Sequence, residues 1–386
     1  MRRIRCEERA DWRAVAEELG FRFHTPDGEA YWREDAYYAF SLAEIEESLE
    51  KPAAELEEMC FAIVDRACRD DAYMARLRIP ERSWDYVAAS WKSQQKNLYG
   101  RMDFAFTGEA PAKLLEYNAD TPTALYESAV FQWRWLEDLQ AAGRLSEEAD
   151  QFNDTHEVLI EAFGHFGLPD VLHLACETGS EEDLGTIEYL ADCAEQAGLA
   201  VHLMPIEAIG LTDDGQFVDG EDRPIEALFK LYPWEHMFQD EFAAFLPRAN
   251  VTLIEPAWKS ILSNKGLMPL LWEMAPGHPN LLPAFFQNDA DMEALGPDYV
   301  RKPLFSREGA NIDIIEGGET VQTAGGPYGA EGAILQSLAP IPAFDGMHPV
   351  LGVWLIASKP TGLGIREDVS RITTDDARFV PHIIEG

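Results

Sequence analysis

From Ser41 to Asp71, apolar residues fall at helical spacing among Glu, Lys and Arg: Leu42, Ile45, Leu49, Leu56, Met59, Ile63 and Val64. The pattern predicts one or two amphipathic helices broken near Pro52, their charged positions forming a solvated face. Ahead of them Trp12, Phe21, Phe23, Tyr31 and Trp32 crowd a short opening segment, which suggests a lid packed onto a larger body or simply core. Between Arg101 and Asn118 the helical period gives way to alternation. Met102–Phe106 and Lys113–Tyr117 flank Thr107-Gly108-Glu109-Ala110-Pro111, a run of turn formers, so the whole reads as a hairpin. After Pro122 helical spacing resumes at Leu125, Phe131, Trp133, Trp135 and Leu136.

From about Val171 to Pro256 strand and helix patterns alternate. The strand candidates are Val171–Leu174, Val201–Met204, Ala227–Tyr232 and Val251–Ile254, with helical patterns around Ile187–Ala197 and Glu235–Leu246. Such alternation predicts a small parallel-sheet subdomain inserted in the chain. Beyond Trp258 the strand candidates are Tyr299–Phe305, Ile312–Ile315, Gly332–Ser337 and Val350–Ala357. The glycine-rich stretch from Gly317 to Gly332 lacks GxxxxGK[ST], which points to hairpin connections and not to a P-loop. The chain shows no internal repeat and no low-complexity linker.

Composition narrows the function classes. The 386 residues carry 31 Lys+Arg against 69 Asp+Glu, a formal charge of −38, yet 46% are hydrophobic and 11% aromatic, so the acidity belongs to a folded protein. A field of that sign repels phosphate backbones and anionic headgroups, which argues against nucleic-acid or membrane-surface binding, and attracts cations such as Mg²⁺ and polyamines. No apolar run approaches the length of a membrane span, and the basic opening Met1–Cys6 runs straight into Glu7, Glu8 and Arg9. A cytoplasmic protein is expected. Cys6, Cys60, Cys68, Cys176 and Cys193 are odd in number and scattered, fitting neither a disulfide framework nor a zinc ribbon.

The hairpin carries candidate chemistry. Residues two apart on a strand share a face, so Arg101 pairs with Asp103 on one arm and Glu116 with Asn118 on the other. Facing each other they gather two carboxylates, an amide oxygen and a guanidinium, hard donors of the kind Mg²⁺ takes, unless they form only a solvent-exposed polar face with an incidental ion pair. Lys302, in Tyr299–Phe305, precedes a proline that favours β geometry and so presents its amine from a strand. The polar turn Ser306–Asn311 follows, and Arg307 on it could close over a reacting phosphate. Lys265, in Ser263-Asn264-Lys265-Gly266, is another lone cation in an apolar neighbourhood. Singly these are surface charges; together, in a chain short of cations, they look like a nucleotide phosphate site.

Four stretches then carry a family resemblance: Tyr99–Phe104, Leu115–Thr123, Lys302–Asn311 and Gly364-Ile365-Arg366-Glu367-Asp368. In that order, and over nearly the whole chain, they closely resemble the synthetase domain of glutathionylspermidine synthases. The resemblance implies a mixed α/β (α+β) chain with an ATP-grasp fold and an inserted pre-ATP-grasp α/β subdomain at about 155–257, residues 1–154 and 258–386 forming the catalytic body. It implies ATP and two Mg²⁺ ions held by Asp103, Glu116 and Asn118, with Lys265 and Lys302 on ATP and Gln336-Ser337-Leu338-Ala339 as the hinge beside adenine. By the same resemblance Arg307 is the transition-state arginine on a mobile loop, and Arg101 and Arg366 lie near glutathione and the transferred phosphate. Glu181 and Glu182 match an acidic pair close to glutathione and the polyamine, although carboxylates at a helix N-terminus are also good dipole partners. Thr121 and Thr123 stand where serines contact glutathione in the best-known members, which keeps the hydroxyl and adds a methyl. His236 loosely matches a threonine that contacts glutathione there.

A carboxylate and an amine do not condense at neutral pH without activation, so the implied chemistry is phosphorylation of a carboxylate by ATP and attack of the amine on the acyl phosphate. The expected substrates are a glutathione-like peptide and a polyamine such as spermidine. The chain begins at once with the synthetase-like part and no cysteine matches the amidase nucleophile of bifunctional members, so no amidase activity is expected. Rival readings are the same ligation on a different carboxylate and amine, a catalytically silent ATP-binding regulatory protein, and a metal-dependent phosphohydrolase. Oligomeric state is not legible.

Overall fold

Ser41 starts the first long helical run: its hydroxyl accepts from the Glu44 N–H while the Glu44 carboxylate accepts from the Ser41 N–H at 2.8 Å, a reciprocal cap. The computed structural model, which describes residues 1–386 apart from the Asp27 side chain, continues this run through a π turn, Glu46–Glu50, into the helix Lys51–Ala67. The break expected near Pro52 is that π turn, whose wider hydrogen bonding leaves proline in the first turn of the next segment, where a missing N–H costs little.

Strands follow in chain order. β1 (Arg2–Arg5) and β2 (Ala36–Phe40) open the chain, and β3 (Tyr99–Ala105) and β4 (Lys113–Asn118) are the arms of the predicted hairpin. Next come β5 (Val171–Cys176), β6 (Ala200–Pro205), the short pair β7 (Gly210–Leu211) and β8 (Phe217–Val218), β9 (Ala227–Leu231) and β10 (Thr252–Ile254). The last third holds β11 (Ala284–Phe286), β12 (Tyr299–Pro303), β13 (Asp313–Glu316), β14 (Glu319–Thr323), β15 (Ala333–Ser337), β16 (His348–Ile356), β17 (Lys359–Asp368), β18 (Arg378–Val380) and β19 (His382–Ile384).

Four strands, in the order β10-β9-β5-β6, form the expected parallel sheet. Every residue of β9 is buried, as befits a central parallel strand. The helix Glu181–Gln196 packs on β5 and β6, capped by the Ser180 hydroxyl, with Glu181, Glu182 and Asp183 in its first turn. The helix expected over Glu235–Leu246 is instead two pieces, Trp234–Met237 and the 3₁₀ segment Glu241–Phe245, because Asp240 leaves helical geometry at ψ 157°.

Two antiparallel five-stranded sheets, β18-β17-β16-β3-β4 and β11-β15-β12-β13-β14, supply the rest of the framework. Gly317 and Gly318, both at positive φ (62° and 82°), make the tight turn between β13 and β14, so the glycine-rich stretch does serve a hairpin. The opening aromatics are core: Trp12, Phe21, Tyr31 and Trp32 cluster with Phe131 and Trp135, and Trp32 stacks on Phe379 at 5.4 Å. β1 and β19 both pair with β2 beside this cluster. The loops after β5 and β9 lie at the carboxyl ends of the parallel strands, where such sheets bind ligands, and they meet the antiparallel sheets around one cavity.

Candidate functional site

The hairpin register sets Arg101 opposite Asn118 and Asp103 opposite Glu116, with a bulge after Asp103. The four side chains therefore share one face, as alternation predicts. Arg101 grips Asp103 with both ends of its guanidinium, Nε at 2.7 Å and Nη2 at 3.0 Å, and donates to the Thr123 carbonyl at 2.7 Å. Both side chains are buried. Gly352, opposite Asp103 on β16, makes room for this pair: a Cβ there would sit 2.6 Å from Arg101 Cδ. The Asn118 amide donates to Asp103 at 3.1 Å and to Glu116 at 3.4 Å.

The cations converge on the same face. Lys265 Nζ lies 2.8 Å from Glu116 Oε2 and donates to the Ser306 carbonyl at 2.6 Å. Lys302, on β12, donates to the Leu115 carbonyl at 3.0 Å and to Gln336 Oε1 at 2.8 Å, which ties the two antiparallel sheets together. Burial pushes the Glu116 carboxyl up, but Lys265 and Lys302 outweigh it and hold it down at about 2. Burial likewise brings the Lys302 ammonium down to about 8, against the pull of Glu116. Arg366 on β17 reaches Asp103 at 3.4 Å, and Arg307 reaches Thr121 Oγ1 at 2.6 Å and Glu235 at 2.7 Å.

These groups border one cavity of about 340 Å³. Arg101, Asp103, Glu116, Asn118, Lys302, Arg307 and Arg366 line it, as do Gln336, Ser337, Leu338 and Ala339, Thr121 and Thr123, and His236. Lys265 sits just behind its wall, through Glu116. Glu181 and Glu182 are placed differently. They border a second cavity of about 700 Å³, walled by Phe21, Tyr126, Trp133 and Tyr189 and by many carboxylates. Burial raises the Glu182 carboxyl above the usual range despite the opposing pull of the Thr123 hydroxyl, Arg366 and Arg101, all groups of the first cavity. Glu182 therefore stands between the two spaces, while Glu181 belongs to the second.

Several site residues carry no signal in the sequence. Asp120 and Lys230, both fully buried, form an ion pair at 2.7 Å, and Asp120 also accepts from the Trp234 N–H, fastening the exit of β4 to the end of β9. Glu127, 4% exposed, lines the second cavity with its carboxyl pushed up to about 7 by burial and by Glu182. Asp183, in the first cavity, is raised to about 6 by burial and again by Glu182. Each sits on a helix, strand or loop whose local pattern is ordinary, and only the folding of distant segments gives it neighbours.

Two carboxylates and an amide oxygen make an all-oxygen donor set, which fits Mg²⁺ when water or phosphate oxygens complete the shell. No group of three or more His, Cys, Asp and Glu side chains is arranged to hold a metal by itself among the described residues.

Antiparallel sheets closing over such a cavity beside an inserted parallel sheet place the chain in the ATP-grasp class of mixed α/β proteins. Residues 3–385 match the model of the family described as glutathionylspermidine synthase preATP-grasp, and the chain belongs to that family. It is 39% identical over 378 residues to a Haemophilus influenzae protein provisionally assigned as an acid–amine ligase, with 94% of each chain covered. It is 30% identical over 353 residues to the trypanothione synthetase of Crithidia fasciculata, covering 84% of this chain and 53% of that one. Identity to the bifunctional glutathionylspermidine synthetase/amidase of Escherichia coli is 26% over 378 residues, covering 91% of this chain and 60% of that one. A glutathione synthetase-like effector from Globodera pallida shares the fold, with a TM-score of 0.58 at 9% identity over 90% of this chain and 89% of that one. No described helix is long and apolar enough to cross a membrane.

Proposed function

We propose that this protein is an ATP-dependent amide ligase that phosphorylates a peptide carboxylate, of the glutathione type, and passes the acyl group to an amine of the polyamine type. The observation that carries the reading is the single cavity in which Asp103, Glu116 and Asn118 meet Lys302, Arg101, Arg307 and Arg366. In this reading Lys265 and Lys302 bind the nucleotide phosphates and the strand end Gln336–Ala339 borders adenine. Two Mg²⁺ ions bound with ATP would neutralise charge on the β- and γ-phosphates. Arg307, Arg101 and Arg366 stabilise charge as the phosphoryl group moves to the carboxylate oxygen, a preorganised role that works best in a site shielded from water.

Thr121 and Thr123 would then border the carboxylate substrate. The second cavity supports a cationic amine: Glu127, Glu137, Asp154, Glu157, Glu181 and Glu182 face it, and Glu182 leads from it to the first. Residues 155–257 would act as the pre-ATP-grasp subdomain and 1–154 with 258–386 as the catalytic body.

The test is ADP release by purified protein with Mg²⁺ and ATP, adding glutathione and spermidine singly and together, with product mass as the readout. ADP formed only with both, and a product of the amide's mass, supports the named substrates. Nucleotide binding without stimulation by either would leave the ligase reading to a panel of other peptides and amines. ADP and phosphate formed with neither present would overturn it in favour of hydrolysis.

A further inference from the structure

Resting on the ligase reading, we infer that Glu235 is the positioning residue for Arg307, holding one edge of its guanidinium so that the other edge faces the transferred phosphoryl group. Arginine has five N–H donors in a rigid plane. Here Nε and Nη2 both donate to Glu235 Oε1, at 3.2 and 2.7 Å, and Nη1 donates to Thr121 Oγ1 at 2.6 Å. Three donors are thereby used, and one N–H on each of Nη1 and Nη2 remains to meet oxygens of a phosphate.

The hold is built rather than incidental. The Glu235 side chain is only 10% exposed, and Arg307 keeps its carboxyl below the usual range although burial alone would raise it. Glu235 is the second residue of the helix Trp234–Met237, whose first N–H is tied to Asp120, and Asp120 precedes Thr121 in the chain. Both partners of Arg307 are therefore fixed by one buried ion pair, Asp120 with Lys230. Arg307 itself rides on a turn in which Glu308, Gly309 and Asn311 all have positive φ, at 52°, 71° and 55°. Gly309 cannot be replaced there without collision, since a Cβ would lie 2.6 Å from the Thr373 carbonyl. A turn so shaped sets where the arginine stem leaves the backbone, and Glu235 sets how its plane is rotated.

Arg307 thus depends on the parallel-sheet segment, from which Glu235 comes, as well as on the turn that carries it. Its test compares wild type, Glu235→Gln, Glu235→Asp, Arg307→Ala and the double variant Glu235→Gln/Arg307→Ala. Glu235→Gln is expected to lower kcat about tenfold or more while changing the KM for ATP by less than about threefold, with Glu235→Asp recovering part of the loss. In the Arg307→Ala background Glu235→Gln should cost nothing further; additive losses would overturn the inference. A second readout does not need turnover. Labelling by an arginine-directed dicarbonyl, read by peptide mass, should become faster at Arg307 in Glu235→Gln and remain unchanged at Arg101 and Arg366. An unchanged rate at Arg307 would overturn the inference even if no substrate pair is found, whereas faster labelling in a protein without ligase turnover would sustain the positioning role and remove only the assigned reaction.

Discussion

The two cavities lie on either side of Glu182 and solve opposite electrostatic problems. In the first, the hairpin and turn charges are paired with the other sign, Asp103 with Arg101 and Arg366, Glu116 with Lys265 and Arg307 with Glu235, while Glu177, Asp183 and Glu308 line it without an ion-pair partner. In the second, carboxylates gather with few cations among them, and burial and mutual repulsion push Glu127 up to about 7. A site kept near neutrality can exchange its internal pairs for a nucleotide and its ions. A site left acidic is stabilised only by a cation from outside. The order of charge along the chain matters less than which charges folding leaves unpaired.

Arg307→Ala should lower kcat about 10²–10³-fold with little change in nucleotide affinity, measured by steady-state ADP release and by calorimetric ATP titration. An equal loss in affinity would show that Arg307 belongs to ground-state binding. Asp120→Ala leaves Lys230 buried with only the Tyr232 carbonyl at 2.9 Å, and should cost about 3–5 kcal/mol in denaturant unfolding.

Glu127→Gln sharpens the second half of the comparison because its effect has the opposite sign. A carboxyl whose pKa is raised on folding contributes a cost at pH 8 that disappears as pH falls towards the unfolded value near 4.5, since the folded state then binds no more protons than the unfolded. The variant should therefore be more stable than wild type by about 3 kcal/mol at pH 8, since the carboxyl is raised from 4.5 to about 7. It should match wild type near pH 4, and denaturant midpoints at the two pH values would measure this. In the first cavity the lysine sign applies: Lys302 loses its proton as pH rises through about 8 in the free protein. ATP affinity should fall a few-fold between pH 7 and 9, binding near pH 8 should take up a proton, and Lys302→Met should flatten both trends in calorimetry.

What was legible in the sequence was local. Alternation on either side of Thr107–Pro111 placed Arg101, Asp103, Glu116 and Asn118 on one face, because two strands joined by a short turn have little freedom of register. The parallel strands were visible for a similar reason, each being a short apolar run between turn formers. The helix break at Asp240 was not visible, since it depends on one residue's backbone angle within an otherwise periodic stretch. Glu235 and Glu127 were missed because nothing near them in sequence distinguishes them from solvated helix charges. Their partners, Arg307 in one case and the wall of the second cavity in the other, lie tens to hundreds of positions away. Family resemblance named residues by motif, and so pointed to Glu181 together with Glu182, which folding places on the wall of the second cavity and not of the first.

Arg366, on the wall of the first cavity, lies on β17, which reaches the hairpin only through β16. During synthesis the early hairpin leaves the ribosome with one edge open and waits for strands more than two hundred residues downstream to cover it. Loop closure over such a span is slow, and an uncovered edge invites pairing with other chains. A chain interrupted before His348 would thus expose β3 as a free edge, and the same connectivity that completes the phosphate site late makes truncated products candidates for aggregation and chaperone capture.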